Sequence, residues 1–210
     1  MSGQDFILYV DSQFTSPYAM AVFVTLTEKG IPFEVRTVDL NIGEQNQPDF
    51  SRLSVSQRVP TLVHGDFTLS ESSAICEYLE ELFPAPRYAP VYPVNREDRA
   101  RARQVQAWIR SDLMPIREER STEVVFYKPT TTPLSENARK AVSKLIKGAN
   151  SLLSDNRENL FGEWCIADND LAIMLARLVL NGDEMPENLK AYTHRQLQRA
   201  SVQAWFKQDR

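Results

Sequence analysis

Four of the chain's twelve prolines fall within the ten residues Pro84–Pro93, and the hydrophobic pattern changes character across them. A segment this rich in proline neither continues a helix nor enters a sheet interior, because each ring fixes φ and removes a backbone donor. It reads as a linker between two parts that are built differently. Before it, apolar residues come as short β-branched runs around one helical stretch. After it, every apolar pattern has a helical period. The 210 residues suffice for two such parts: a first domain at 1–84, the linker at 85–94 and a helical domain at 95–210.

In the first part Phe6–Val10 is a continuous apolar run suited to a buried strand. Residues 17–29 then carry Tyr18, Ala21, Val22, Val24, Thr25 and Leu26 at helical spacing, and Gly30 closes the helix. Phe33–Leu40 is β-branched and partly alternating. Strand, helix, strand implies a parallel pair joined by a right-handed crossover. Residues 41–58 are polar and irregular, with one helical turn at Pro48–Leu53. Val59–Val63, the turn His64-Gly65-Asp66 and Phe67–Leu69 form an antiparallel hairpin. Ala74, Ile75, Tyr78, Leu79, Leu82 and Phe83 then recur at helical spacing until Pro84, which places Glu71, Ser72 and Ser73 in a first helical turn. The order βαβ-α-ββα is that of a thioredoxin-like α/β domain.

Beyond the linker, Asn95 with Asp98 marks a helix start, and that helix runs past Trp108 to an expected break at Pro115. A second begins near Ser135 with a clean three-four repeat. Residues 168–180 are apolar nearly all round and read as a central buried helix, and residues 189–206 supply one or two more.

The stretch from Arg58 to Ile75 carries the chemistry. Pro60 either begins a strand or lies cis, and in both cases its missing N–H interrupts the ladder and leaves the backbone of Val59 available to an extended peptide. A helix start offers unpaired N–H groups and a partial positive charge, so the start at Glu71-Ser72 suits a carboxylate, while Glu71 suits the ammonium group of an α-amino acid. The same residues also read as simple helix caps.

Charge and cysteine content narrow the classes. A net charge of −4 and a pI near 5.3 give no general drive toward nucleic acid, and the basic run Arg96–Arg103 is interrupted by Glu97 and Asp98. Two cysteines, Cys76 and Cys165, make no disulfide framework and fit a reducing compartment. The first five residues lack signal-peptide character, and the most apolar stretch, residues 171–180, is about half the length that spans a bilayer. The expectation is a cytoplasmic, soluble protein with no membrane and no nucleic-acid partner. His64 and His194 are too few and too separate for a zinc site, so no metal is expected.

A valine and proline followed by a hairpin and a Glu-Ser-Ser-Ala-Ile helix start resembles the glutathione-binding half of the cytosolic glutathione S-transferases. The helical half resembles that family too: its Ser/Thr-x-x-Asp capping box is matched by Cys165-Ile166-Ala167-Asp168, with a weaker thiol acceptor in place of the hydroxyl. The resemblance implies that Pro60 is cis, that the backbone of Val59 pairs with the cysteinyl part of glutathione, and that Glu71 and Ser72 bind its γ-glutamyl end. Gln57 and Arg58 are candidates for the glycine carboxylate, with exposed turn residues as the plain alternative.

Such a protein must hold the glutathione sulfur as thiolate. The expected place is the start of the first helix, Asp11-Ser12-Gln13-Phe14-Thr15-Ser16-Pro17-Tyr18, where Ser16 and Pro17 are also a good cap and first helical residue. A thiol of pKa near 8.5 needs a shift of roughly two units, about 2.7 kcal/mol, to be mostly thiolate at pH 7. A helix dipole supplies about 0.3–1 kcal/mol and a hydrogen bond to a charged group about 1.5–3, so both are needed. Ser16 is the first candidate donor and Thr15 the second, with Tyr9 and backbone N–H groups as alternatives. Trp108, Met114, Phe126 and Tyr127 are candidates for lining the electrophile pocket.

The expected activity is conjugation of glutathione to hydrophobic electrophiles or reduction of organic hydroperoxides, with glutathione as substrate, no cofactor, and a homodimer as in the family. The alternatives are a non-catalytic interaction or stress-response protein of the same fold, and a thiol-disulfide reductase, which the cysteine placement disfavours.

Overall fold

The computed structural model describes residues 6–154 and 157–210. They divide into two compact units, one running to Val91 and also taking in Gln203–Arg210, the other being Tyr92–Val202.

The first unit contains β1 (Phe6–Asp11), α1 (Pro17–Glu28), β2 (Phe33–Val38), a 3₁₀ turn (Glu44–Asn46), α2 (Pro48–Ser51), β3 (Thr61–His64), β4 (Phe67–Ser70) and α3 (Ser72–Leu82). The sheet order is β2-β1-β3-β4, with β1 and β2 parallel and the other pairs antiparallel. Leu8 and Val10 of β1 and Leu62 of β3 are fully buried, as are Met20, Val22, Val24 and Leu26 of α1 and Ile75 and Leu79 of α3. The βαβ unit and the hairpin thus share one core. Gly30 adopts φ 62° just past α1, the left-handed turn that a residue without Cβ enters at least cost.

An ion pair closes this unit. Lys29 Nζ lies 2.6 Å from Glu80 Oε2, with side chains 0% and 7% exposed, and also donates to the carbonyls of Phe83 (2.9 Å) and Ala89 (3.0 Å). Glu80 accepts the Val91 N–H at 3.1 Å. Two charges this deep are tolerable because backbone groups satisfy their remaining bonding capacity, and the pair fixes where the proline-rich segment leaves α3.

The second unit is helical: α4 (Arg96–Ser111), α5 (Met114–Glu119), α6 (Glu123–Phe126), α7 (Glu136–Leu152), α8 (Ile166–Val179), α9 (Glu187–Leu197) and the start of α10 (Ala200–Phe206). Asn95 caps α4 by accepting from Glu97 and Asp98 N–H, and Ser135 caps α7. α8 is buried along almost its whole length. Its start is organised by Asp168, whose carboxylate accepts from Cys165 N–H (2.9 Å), Leu160 N–H (2.8 Å) and Tyr192 O–H (2.8 Å). Burial pushes the Cys165 thiol well up, and the neighbouring Asp168 adds to the effect.

Three details depart from the sequence reading. The break expected at Pro115 falls at Asp112–Leu113, where Leu113 takes φ 62°, and Pro115 instead sits in the first turn of α5, where its missing N–H costs nothing. The ladder of β3 begins at Thr61 rather than Val59, because Pro60 has no N–H to donate. Residues 203–210 group with the first unit: the fully buried Trp205 stacks edge-on against Phe14 (5.2 Å) and Phe23 (5.3 Å).

Candidate functional site

Strand register decides which segments meet. Tyr9 on β1 stands opposite Thr61 on β3, and Thr61 stands opposite Ser70 on β4. The end of β1, the start of β3 and the end of β4 therefore lie at one end of the sheet, and the segments leaving them are 11–16, 57–60 and 71–72. With strands spaced about 4.8 Å apart, the row Tyr9, Thr61, Ser70 spans about 10 Å, the length of an extended tripeptide. α1 and α3 both begin at this end, and neither has an acidic residue in its first turn. Each start nevertheless has a carboxylate just before it, Asp11 bonded to the Ser16 N–H and Glu71 as the residue preceding α3, so the partial positive charge there is shared with these groups.

Backbone strain collects in the same place. Among the described residues, Phe14 (φ 49°), Gln57 (52°), Glu71 (75°) and Leu113 (62°) are the non-glycine residues with positive φ. Three of them belong to these segments. Such conformations cost on the order of 1–3 kcal/mol each and are concentrated at functional sites.

The first segment is organised by Asp11, which is 4% exposed. Its Oδ2 accepts from Thr15 N–H (2.7 Å) and Thr15 Oγ–H (3.0 Å), and its Oδ1 from Ser16 N–H (3.1 Å). Ser16 caps α1, its Oγ accepting from Ala19 N–H at 3.2 Å. That bond uses a lone pair, and the hydroxyl proton of Ser16 has no acceptor among the described residues.

In the second segment the Val59–Pro60 bond is cis, and Val59 lies outside the β3 ladder. Ser54 pins the chain here: its Oγ donates to the Arg58 carbonyl (3.2 Å) and accepts from Arg58 N–H (3.3 Å), while Thr61 Oγ1 donates to the same carbonyl (3.0 Å). The side chains of Gln57 and Arg58 are exposed and have no partner among the described residues.

In the third, Glu71 is the residue before α3 rather than part of its first turn, and its exposed side chain makes no capping bond. Its carbonyl accepts from Ile75 N–H at 3.0 Å. Ser72 is the first helical residue and is buried. The plain capping reading thus holds for Ser16 and not for the Glu71 side chain.

Two residues at this end were not singled out from sequence. Asp11 had a legible signal, an acidic residue four before a threonine and five before the helix cap, the spacing of a side chain folding back on its own turn. Ser70 had none. Its buried Oγ, on the last residue of β4, has no partner among the described residues.

Tyr9 packs edge-on against Phe50 (5.6 Å), and its hydroxyl oxygen accepts from Arg36 Nη1 (3.4 Å), which ties it toward β2 and away from the three segments. Both cysteines are buried. Cys76 accepts from Thr25 Oγ1 at 3.2 Å. In the helical unit Met114 and Tyr127 are each 51% exposed, while Trp108 and Phe126 are half-buried.

The fold defines a thioredoxin-like α/β unit joined to an all-helical one. Family models describe both parts: the glutathione S-transferase N-terminal domain matches residues 15–82 and the glutathione S-transferase C-terminal domain matches residues 95–208. A structure of a glutathione transferase homologue from Burkholderia gl BGR1 with bound glutathione is similar at a TM-score of 0.79 and 48% identity, over 97% of this chain and 96% of that one. The stringent starvation protein A homolog of Haemophilus ducreyi is 30% identical over 88% of this chain and 82% of that protein. The probable maleylacetoacetate isomerase of Vibrio cholerae is 29% identical over 89% and 85% respectively. The mouse glutathione S-transferase theta-3 is 38% identical, but over only 48% of this chain and 40% of that protein. The chain belongs to the glutathione S-transferase family.

Proposed function

We propose that the protein binds reduced glutathione across the sheet end formed by residues 11–16, 57–60 and 71–72, holds its sulfur as thiolate, and transfers it to hydrophobic electrophiles or uses it to reduce organic hydroperoxides. The observation that carries this reading is the Ser16 hydroxyl: it caps α1 with a lone pair, keeps its proton, and stands at a helix start without acidic residues in the first turn. The bound glutathione of the 48% identical Burkholderia homologue supports the choice of ligand.

In this reading the backbone of Val59, beside cis-Pro60, pairs with the cysteinyl unit. Glu71 and Ser72 take the γ-glutamyl end, Arg58 and Gln57 the glycine carboxylate, and Ser16 the sulfur. A homodimer and a cytoplasmic location belong to the same proposal. A non-catalytic role is the second reading, favoured by the 30% identity to a stringent starvation protein A homolog; fold alone does not confer turnover.

Thermal unfolding with and without glutathione tests the binding claim. At about a hundred times Kd the ligand adds about 2.7 kcal/mol of stability, and an unmoved melting temperature at millimolar glutathione removes the proposed activity and site together. Turnover of chlorodinitrobenzene and of cumene hydroperoxide then separates enzyme from binder: a melting shift without turnover favours the second reading.

A further inference from the structure

We propose that Asp11 is a positioning residue that makes Ser16, and not Thr15 or the N–H groups of residues 15 and 16, the donor to the glutathione sulfur; this rests on the reading above that the turn serves a thiolate. Few protons within residues 15–17 are left to give. A hydroxyl has one proton to give. Thr15 gives its proton to Asp11 Oδ2, and its N–H goes to the same oxygen. The Ser16 N–H goes to Asp11 Oδ1, and Pro17 has no N–H. The Ser16 hydroxyl proton is what remains. The carboxylate that removes the competing donors is itself buried, and it holds both residues to the end of β1, so the free proton has a fixed origin.

Among the described residues the charged side chains bonded to this turn are Asp11 and Arg210, whose Nη2 donates to the Phe14 carbonyl at 3.4 Å. The negative charge of Asp11 by itself disfavours a nearby thiolate, so its charge and its positioning act with opposite sign. That difference makes the role testable. In Asp11→Asn an amide nitrogen replaces one acceptor oxygen, which breaks at least one of these three bonds and loosens the turn while removing the charge.

The experiment is the pH profile of kcat/KM for glutathione and chlorodinitrobenzene in the native protein, Asp11→Asn, Ser16→Ala and the double variant. The expected result is an acid limb displaced upward by about one unit or more in each single variant, with Ser16→Ala adding little in the Asp11→Asn background. A limb that moves down shows that only the charge mattered, and a lowered melting temperature with an unmoved limb shows a purely structural role; either overturns the proposal. If Asp11→Asn does not fold, Thr15→Val decides: its upward displacement is expected to be smaller than that of Ser16→Ala, and an equal or larger one makes Thr15 the donor. Native protein that neither binds nor turns over glutathione refutes the functional reading and this assignment with it. Native turnover with the limb of Asp11→Asn unmoved refutes this assignment alone.

Discussion

Gly148 lies mid-helix in α7, where glycine is about 1 kcal/mol less favourable than alanine, so Gly148→Ala ought to stabilise the protein on propensity alone. The packing says otherwise. A Cβ at this position would stand 2.6 Å from Trp108 Cη2, 3.2 Å from Cζ3 and 3.4 Å from Cζ2. Carbon atoms sit comfortably at about 3.5–4.0 Å, so the indole has to move by about 1 Å. Its other edge is tethered, because Trp108 Nε1 donates to Asp112 Oδ2 at 3.1 Å and the same carboxylate pairs with Lys144. Overpacking costs about 1–3 kcal/mol, and the strained indole bond adds to it, against about 1 kcal/mol of propensity gained. The net expectation is a loss of about 1–2 kcal/mol, or about 2–8 °C in melting temperature for a chain of this length. Urea unfolding of Gly148→Ala, Trp108→Leu and the double variant measures it. Because the clash is between these two side chains, the double variant should be more stable than the sum of the singles predicts. A higher melting temperature in Gly148→Ala, or strict additivity, refutes the reasoning.

Glu80→Gln strands the Lys29 charge in the interior and should cost about 3 kcal/mol in urea unfolding; a loss below about 1 kcal/mol would show that the carbonyls of Phe83 and Ala89 suffice for the ammonium. Cys165→Ser exchanges a weak acceptor for a good one at the start of α8 and should add about 0.5–1 kcal/mol, whereas a net loss would mean that packing of the sulfur outweighs the cap. Glu71→Ala should raise the KM for glutathione with little change in kcat, and an unchanged KM removes Glu71 from the binding set. The Lys144 ammonium, helped by the Leu113 N–H, holds the Asp112 carboxyl below the usual carboxylate range. A lowered folded value means that the pair contributes above the unfolded value near pH 4 and loses its contribution as pH falls through the folded one. The stability difference between native protein and Lys144→Ala should therefore vanish in acid and shrink in high salt; a difference independent of both would assign it to packing of the lysine stem.

Most of the architecture was legible in the sequence because it rests on local rules. Gly30, Asn95 and Ser135 mark helix ends by their own chemistry, and the turn at Gly65 fixes the hairpin register. The candidate site was half legible. Ser16 and Pro60 announce themselves by type and position, whereas the positive φ of Glu71 and Gln57 is imposed by how the chain must leave β4 and enter β3, which no residue type there signals. Asp11 was legible as a side chain that folds back on its own turn, but not as one that takes three donors from Thr15 and Ser16. Ser70 depends wholly on cross-strand register, and Trp205 on contacts made nearly two hundred residues away from Phe14.

The position of Trp205 has a consequence for how this protein comes to exist. The unit that carries the candidate site is discontinuous along the chain, and the aromatic wedge between Phe14 and Phe23 is supplied from residue 205. During synthesis the α/β half emerges first, yet its core stays uncovered beside the very turn that holds Ser16 until the helical half has been made. A fragment cut at the proline-rich segment would carry every residue proposed to touch glutathione and still lack the side chain that packs against Phe14 in the turn holding Ser16. The two halves are therefore not interchangeable modules, and a chimera of either kind must keep residues 203–210 with the α/β half.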